Sequence, residues 1–169
     1  MTSKNAYKAY LQQKINIIDW SCYETAYSNR TDTPFAKHIE NMKKFAQSFA
    51  DLFSDDKTIA MQASHTLWCA LCHQHAYVSS AALPAYDILY DGLQILDTDL
   101  QIELLDIFYG FSACTTDHAP PHTWQAQLRS KLKRDIQTFQ QHTQHPNADI
   151  SVFAQNIVSA LQKPKEGLS

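Results

Sequence analysis

Apolar residues recur at steps of three and four along almost the whole chain, which is the spacing of one buried face of an α-helix. The second predicted helix, which follows Pro34, carries the most regular stripe. Its apolar members are Phe35, Ile39, Met42, Phe45, Phe49 and Leu52. We identify no strand, and the low glycine content favours helices over a turn-rich β fold. The pattern therefore predicts an all-α chain of about seven helices with short links.

Polar residues that can accept hydrogen bonds from a helix N-terminus precede the predicted helices. The predicted N-caps are Thr33, residues 54–56, Ser79 or Ser80, Thr98 and Thr123. The first helix is predicted to run from about Ser3 to Trp20, and Gly92 suits a position just after the fourth helix. After Thr123 we expect one long helix that reaches Phe139.

The order of the predicted helices permits two architectures. Short links between helices three to five predict two antiparallel pairs, and stacked helix pairs of about 40 residues are the unit of an α-solenoid. No repeat is visible as sequence identity, so periodicity alone does not separate a solenoid from a bundle. The length of 169 residues predicts a single helical domain over 1–162, followed by a flexible tail at 163–169.

The segment CALCH, which contains Cys69, Cys72 and His73, has the spacing of a c-type haem attachment site. A CxxC is also half of a zinc site or a redox site. Haem attachment is a chemistry of exported proteins, and a redox CxxC needs a helix N-terminus, whereas this one lies near the C-terminal end of its helix. Zinc needs a second pair of ligands, and Cys114 with His118 has no reason to lie nearby. We therefore expect the two cysteines to pack in the core as small apolar side chains, with no metal and no cofactor.

The other chemistry-bearing residues form no recognisable active site. The chain lacks the GxSxG, HExxH, Walker and GxGxxG motifs, which predicts a protein that is not an enzyme. Its histidines are scattered, and most are expected on exposed faces or at the ends of links. They are His38, His65, His73, His75, His118, His122, His142 and His145. A solvated helix face is expected for the basic residues Arg129, Lys131, Lys133 and Arg134.

Charge and hydropathy exclude further classes of function. The net charge of −3 and the absence of a long basic run argue against a nucleic-acid partner. The N-terminal residues lack the apolar stretch of a signal peptide, and no run of about 18 apolar residues predicts a membrane span. We therefore expect a cytoplasmic protein with reduced cysteines and no membrane partner.

Three segments together form one pattern, and each carries a different part of it. The first has a Trp before a link that contains an acidic residue and a Pro. The second is a helix that ends in His-Gln before an Ala-Ala-x-Pro helix, and the third is a Leu-Leu helix with a small residue. They are DWSCYETAYSNRTDTP (19–34), LWCALCHQHAYVSSAALPAYDIL (67–89) and LLDIFYGFSAC (104–114). The positions that carry the pattern are Trp20, Ala26, Tyr27, Asp32, Pro34, His73, Gln74, Tyr77, Ser80, Ala81, Ala82, Pro84, Leu104, Leu105 and Gly110. Over residues 15–115 the chain thus resembles a group of bacterial HEAT-repeat-like proteins, and it departs from their pattern at His75, which is expected to change the turn. His73 and Gln74 are expected to bring polar atoms to the free carbonyls that end the third helix, while Pro84 fixes the start of the fourth.

The resemblance implies a HEAT-like α-solenoid and an immunity role, in which the protein neutralises a cognate bacterial toxin by direct binding. The candidate partner-binding residues lie in the links before the second and fourth helices. They are Tyr23, Glu24, Tyr27, Asp32, His75 and Tyr77. Tyrosine is an efficient interface anchor, and the alternative that Tyr27 and Tyr77 only cover the edge of the core stays open. Two other functions also stay open: a metal- or thiol-dependent enzyme centred on CxxCH, and a DNA-binding helical-repeat glycosylase, which the slight acidity disfavours.

Overall fold

The computed structural model describes residues 3–163, which form eight α-helices and two short 3₁₀ turns. The helices are α1 (Lys4–Ile17), α2 (Phe35–Leu52), α3 (Lys57–Cys72), α4 (Ala82–Ile95), α5 (Thr98–Cys114), α6 (Trp124–Arg134), α7 (Ile136–His142) and α8 (Ala148–Gln162). The 3₁₀ turns are Trp20–Cys22 and His73–His75. Within the described residues the only strand-like pairing is an isolated bridge between Thr25 and Ser28. The predicted all-α class is confirmed.

Two findings concern the predicted C-terminal tail and the prediction that no helix spans a membrane. Apart from Lys163, the predicted tail at 163–169 lies outside the described residues. None of the helices in the described part of the chain is long and apolar enough to cross a membrane.

Helix α5 lies at the centre of the fold and contacts α3, α4, α6 and α8. Around it, α2 packs on α3, α7 packs on α8, α4 contacts α6, and α1 touches both α2 and α4. These contacts bury one continuous apolar cluster. Phe108 of α5 joins three helices, because its ring centroid lies 5.2 Å from that of Tyr86 on α4 and 5.3 Å from that of Phe139 on α7.

The first helix is shorter than predicted. It ends at Ile17, and the chain then turns back so that the Trp20 indole N–H donates to the carbonyl of Ile15 over 2.9 Å. Asp19 stabilises this turn by accepting from the backbone N–H of Ser21. The buried Trp20 ring then stacks on Phe49 with a centroid distance of 5.2 Å. Trp20 therefore ends the helix by packing, which local periodicity does not reveal.

The predicted long sixth helix is in fact two helices that meet at Asp135. This residue leaves the helical conformation, with φ −99° and ψ 13°. Its carboxylate accepts a hydrogen bond from the Tyr86 hydroxyl at 3.0 Å, and Tyr86 also donates to the Lys131 carbonyl at 3.2 Å. A tertiary contact with α4 thus accompanies the break, whereas the sequence around it continues the helical pattern.

Two predicted N-caps are confirmed. Asp56 accepts from the N–H groups of Thr58 and Ile59, and Thr123 accepts from the N–H of Ala126. Both are short polar side chains directly before a helical run, where the unpaired backbone donors lie within their reach.

The other predicted caps are wrong. Pro34 takes the N-cap position of α2, while the Thr33 hydroxyl accepts instead from the N–H of Asn29. Asp97 caps α5, so Thr98 is already its first residue. Ser79 and Ser80 make other contacts, which are described below, and Gly92 lies inside α4 rather than after it.

Two expectations about burial are also wrong. Phe35, predicted in the buried stripe of α2, is 72% exposed, whereas His38 is fully buried in that stripe. Arg129, predicted on a solvated face, is buried. Its guanidinium donates to Asp117 and to backbone carbonyls of α5, α8 and the loop after α5, so its charge is compensated inside the protein.

Candidate functional site

The two links that carry the predicted partner-binding residues meet at the C-terminal end of α3. We call residues 18–34 the first link and residues 73–81 the second link. The N–H of Glu24 donates to the Ser80 hydroxyl at 2.8 Å, and the N–H of Ala81 donates to the Glu24 carbonyl at 3.0 Å. The N–H of Ala26 donates to the Ala70 carbonyl of α3 at 2.9 Å. The structure therefore brings the two links together through Glu24, Ser80 and Ala81.

Local hydrogen bonds fix the path of the first link. The side-chain oxygen of Asn29 accepts from the N–H groups of Thr31 and Asp32 at 3.0 and 2.6 Å. The carboxylate of Glu24 accepts from the N–H of Arg30 at 3.0 Å. Glu24 is therefore half-buried and engaged within the protein, which gives it a structural role in addition to its predicted one.

Most of the histidines are expected on exposed faces or at the ends of links, but His38 is buried and anchors the first link to α2. His38 Nε2 lies 3.1 Å from the carbonyl oxygen of Ser21, and Nδ1 lies 2.8 Å from the Ser28 hydroxyl. A carbonyl only accepts, so Nε2 carries the proton and Nδ1 accepts from Ser28. The Ser28 oxygen in turn accepts from the Asn41 amide at 3.2 Å. The signal for this role is the position of His38, one turn before Met42 in the buried stripe.

Among the six predicted partner-binding residues, the tyrosines at 27 and 77 offer the largest accessible apolar surface. Tyr27 is 66% exposed and Tyr77 is 48% exposed, so neither is covered by the core. Asp32 is exposed, whereas Tyr23 and His75 are partly buried. The nearby Cys69 thiol of α3 raises the pKa of the Tyr27 phenol.

Two consecutive residues near the start of the second link lie in the left-handed region, Gln74 at φ 51° and His75 at φ 56°. Non-glycine residues rarely adopt this conformation, and it persists only where surrounding contacts hold it. The His75 ring is hydrogen-bonded to Asp106 of α5, and its carbonyl accepts from the Cys114 thiol at 3.0 Å. The ring also lies 4.9 Å from that of Tyr109. His75 therefore holds the turn against α5.

The predicted capping role of His73 and Gln74 is wrong within the described residues. Both side chains are exposed, and the carbonyls of Ala70 and Leu71 near the end of α3 accept hydrogen bonds from other groups. The Ser79 N–H donates to the Leu71 carbonyl and its hydroxyl donates to the Ala70 carbonyl, each at 2.9 Å. Ser79 can do this because the second link folds back over the helix end.

The cysteines of CALCH have different environments. Cys72 is fully buried, as predicted, and burial raises the pKa of its thiol far above the usual value. A buried thiol of raised pKa is a poor nucleophile and a poor metal ligand. Cys69 is half-buried, with its sulfur 3.6 Å from His65 Nε2. Within residues 3–163 no three His, Cys, Asp or Glu side chains are grouped so that they could hold a metal ion.

A cluster that the sequence analysis did not identify lies between α3 and α5, next to the second link. We call His65, Trp68, His75, Glu103 and Asp106 the α3–α5 cluster. The ring centroids of His65 and Trp68 are 5.8 Å apart and nearly parallel, and the His75 ring meets Trp68 edge-on at 5.9 Å. Glu103 and Asp106 lie three residues apart on α5, and His65 and Trp68 lie three residues apart on α3. Helical spacing could have suggested each pair, but not that the two pairs meet.

No family model, no curated protein and no solved structure matches this chain. The resemblance to HEAT-repeat-like immunity proteins therefore stays a prediction.

Proposed function

We propose that this chain is a non-enzymatic helical-repeat protein that binds another protein through its two links, and that the partner is a cognate bacterial toxin, which it neutralises. The single observation that carries the protein-binding role is the pair of links at the end of α3, with Tyr27 and Tyr77 exposed on them. The toxin as partner is supported by the sequence resemblance alone.

The packing of the helices is compatible with a HEAT-like α-solenoid, which is part of the proposal. The helices α3, α5 and α8 contact one another in succession, and α4 and α6 are in contact with each other. Two rows of helices that run across successive pairs are what stacked helical repeats produce. In such a stack the loops between helices align along an edge, which would give the two links a shared binding face.

Ordered loops support binding because they need little reorganisation when a partner docks. Hydrogen bonds within the protein hold both links in place. The buried His38 of α2 also bonds to Ser21 and Ser28 of the first link. Exposed tyrosines on a preorganised backbone combine a large contact area with a small loss of side-chain entropy.

The test begins with the tagged protein as bait in cells that contain the native chain, followed by identification and purification of any stoichiometric partner. The affinity of that partner is then measured by calorimetry for the wild type and for the double variant Tyr27→Ala/Tyr77→Ala. We expect the double variant to bind about 10- to 100-fold more weakly, because interface tyrosines are often hot spots. Tyr10→Ala is the matched control, since Tyr10 is also a half-exposed tyrosine but lies on α1.

A partner that the double variant binds as tightly as the wild type does would refute the proposed face. The toxin role has its own readout, which is growth of cells that express the identified partner, with and without the wild-type chain. Partner expression that does not impair growth would contradict the immunity role while leaving a protein-binding role intact.

A further inference from the structure

Tyr77, the exposed tyrosine of the second link, lies between residues that are anchored in the protein. Val78, directly after it, is buried in the core. Ser79, two residues after Tyr77, donates to carbonyls near the end of α3 from both its N–H and its hydroxyl, each at 2.9 Å. His75, two residues before Tyr77, is hydrogen-bonded to Asp106 of α5. The direction in which Tyr77 leaves the surface therefore depends on contacts that its neighbours make with other parts of the fold.

The turn before Tyr77 has a backbone conformation that needs support from other contacts. Gln74 and His75 both have positive φ, in the left-handed region that side chains other than glycine rarely adopt. Two such residues in succession persist only where the surrounding structure holds them. The Gln74 side chain is exposed, whereas the His75 ring is tied to α5, so the support comes from His75.

One face of α5 receives His75 and consists of Asp106, Tyr109, Gly110 and Cys114. The Cys114 thiol donates to the His75 carbonyl at 3.0 Å, the Tyr109 ring lies 4.9 Å from the imidazole, and a Cβ atom at Gly110 would lie 3.2 Å from His75 Cδ2. Asp106 supplies the strongest of these contacts, because a hydrogen bond to an ionised carboxylate exceeds one between neutral groups. A carboxylate only accepts, so His75 Nε2 carries the proton and donates it whether the ring is neutral or charged.

We propose that Asp106 positions Tyr77 for the partner protein, because through His75 it fixes the second link in the conformation that binds. The central helix thereby sets the affinity of a face whose contact residues lie on the links. Asp106 acts by reducing the number of conformations that the link would otherwise lose on binding, and not by touching the partner. The inference rests on the proposed protein-binding function and identifies what determines the affinity of the second link.

Amide hydrogen exchange of the full chain, followed by nuclear magnetic resonance, measures opening of the second link without any partner. The reporters are the hydrogen-bonded amides of Ala76 and Ser79, and amides of α2 serve as the reference for global stability. Glycine adopts positive φ without strain, so the matched variants are His75→Gly, which loses the tether, and Gln74→Gly, which keeps it. We expect the reporters to exchange about tenfold faster in His75→Gly, and no faster than wild type in Gln74→Gly. Equal exchange in the two variants would overturn the inference, because the turn and not the tether would then hold the link.

Substitutions at Asp106 test the positioning role directly. Asp106→Ala removes the acceptor and should speed exchange at the reporters as His75→Gly does, whereas Asp106→Asn keeps an accepting oxygen and should restore most of the protection. Calorimetry with the purified partner should show binding about three- to tenfold weaker for Asp106→Ala and less than about twofold weaker for Asp106→Asn, since apparent affinity falls with the fraction of the binding conformation. Glu103→Ala is the matched control, because Glu103 is also a half-buried carboxylate and lies one turn earlier on α5. It should change neither measurement.

Unchanged exchange at Ala76 and Ser79 in Asp106→Ala would overturn the inference. So would a variant in which the link opens but the partner binds as tightly as before. A partner that loses affinity with the tyrosine variants but not with Asp106→Ala leaves the protein-binding role standing and removes the positioning role. An open link in Asp106→Ala, in a chain for which no protein partner is found, leaves the tether standing and removes the protein-binding role.

Discussion

The close approach between α5 and the end of α3 offers a sharp test of the packing, through the substitution Gly110→Ala. Gly110 lies on the face of α5 that meets the end of α3. A Cβ atom built on it would lie 2.7 Å from Cys72 Cβ, 2.8 Å from Cys72 Sγ and 3.2 Å from His75 Cδ2. Carbon atoms in contact normally lie about 3.5–4.0 Å apart, so the two helices would have to separate by roughly 1 Å. A Cys72 Cβ fixed to the backbone cannot move aside by changing its rotamer.

Two opposing effects set the size of the change in stability. Overpacking a tight core costs about 1–3 kcal/mol, and alanine is favoured over glycine inside a helix by about 1 kcal/mol. We therefore expect Gly110→Ala to lower the free energy of unfolding by about 1–2 kcal/mol. For a chain of this size, that corresponds to a decrease in Tm of about 2–8 °C.

Urea denaturation of Gly110→Ala and of the control Gly92→Ala measures this difference. Gly92 is also a buried helical glycine, but a Cβ there would meet only the ends of the side chains Leu104, Leu96 and Phe53, at 3.1–3.3 Å. Because these ends can shift, we expect Gly92→Ala to stay within about 1 kcal/mol of the wild type.

A double-mutant cycle identifies the atoms responsible for the loss. Cys72→Gly removes the Cβ and Sγ atoms that the new methyl group would contact, so Gly110→Ala should cost less in that background. Two results would refute the reasoning: a Gly110→Ala protein as stable as the wild type, or an equal cost in both backgrounds.

Three further predictions concern single side chains. His38→Ala should lower the free energy of unfolding by about 2–4 kcal/mol, measured by urea denaturation, because it leaves buried partners of the first link unpaired; a loss below 1 kcal/mol would contradict that role. Glu103→Gln should raise stability at pH 7 by less than about 1 kcal/mol, because a raised pKa means that the charged form is disfavoured in the folded state. The gain should vanish in acid below the usual glutamate pKa, where both states are protonated, and a gain independent of pH would refute this origin. Asp117→Asn should lower stability at pH 7 by about 1 kcal/mol or less, because hydrogen bonds from Lys133 and Arg129 hold the pKa of Asp117 below its usual value while solvent screens this exposed carboxylate. That contribution is complete above the unfolded-state pKa and is lost as pH falls through the folded-state pKa, so thermal melts of variant and wild type should converge in strong acid.

Sequence by itself determined the features of this protein that depend on neighbouring residues. The stripe of α2 from Met42 to Leu52 is buried as predicted, and Asp56 and Thr123 cap the helices that follow them. Helix periodicity and N-caps act over a few residues, so their physical cause is present in the local sequence. For the same reason the all-α class could be predicted, as could the core position of Cys72.

Only the tertiary structure decided which distant residues meet. It split the predicted sixth helix where Asp135 meets Tyr86, buried Arg129 among carbonyls of other segments, and brought His75 of the second link against Asp106 of α5. The two links could be identified as candidate sites from the sequence, but their contact at the end of α3 could not. Such contacts depend on how whole helices pack, and packing is set by the summed shape and burial of many side chains, which no short segment contains.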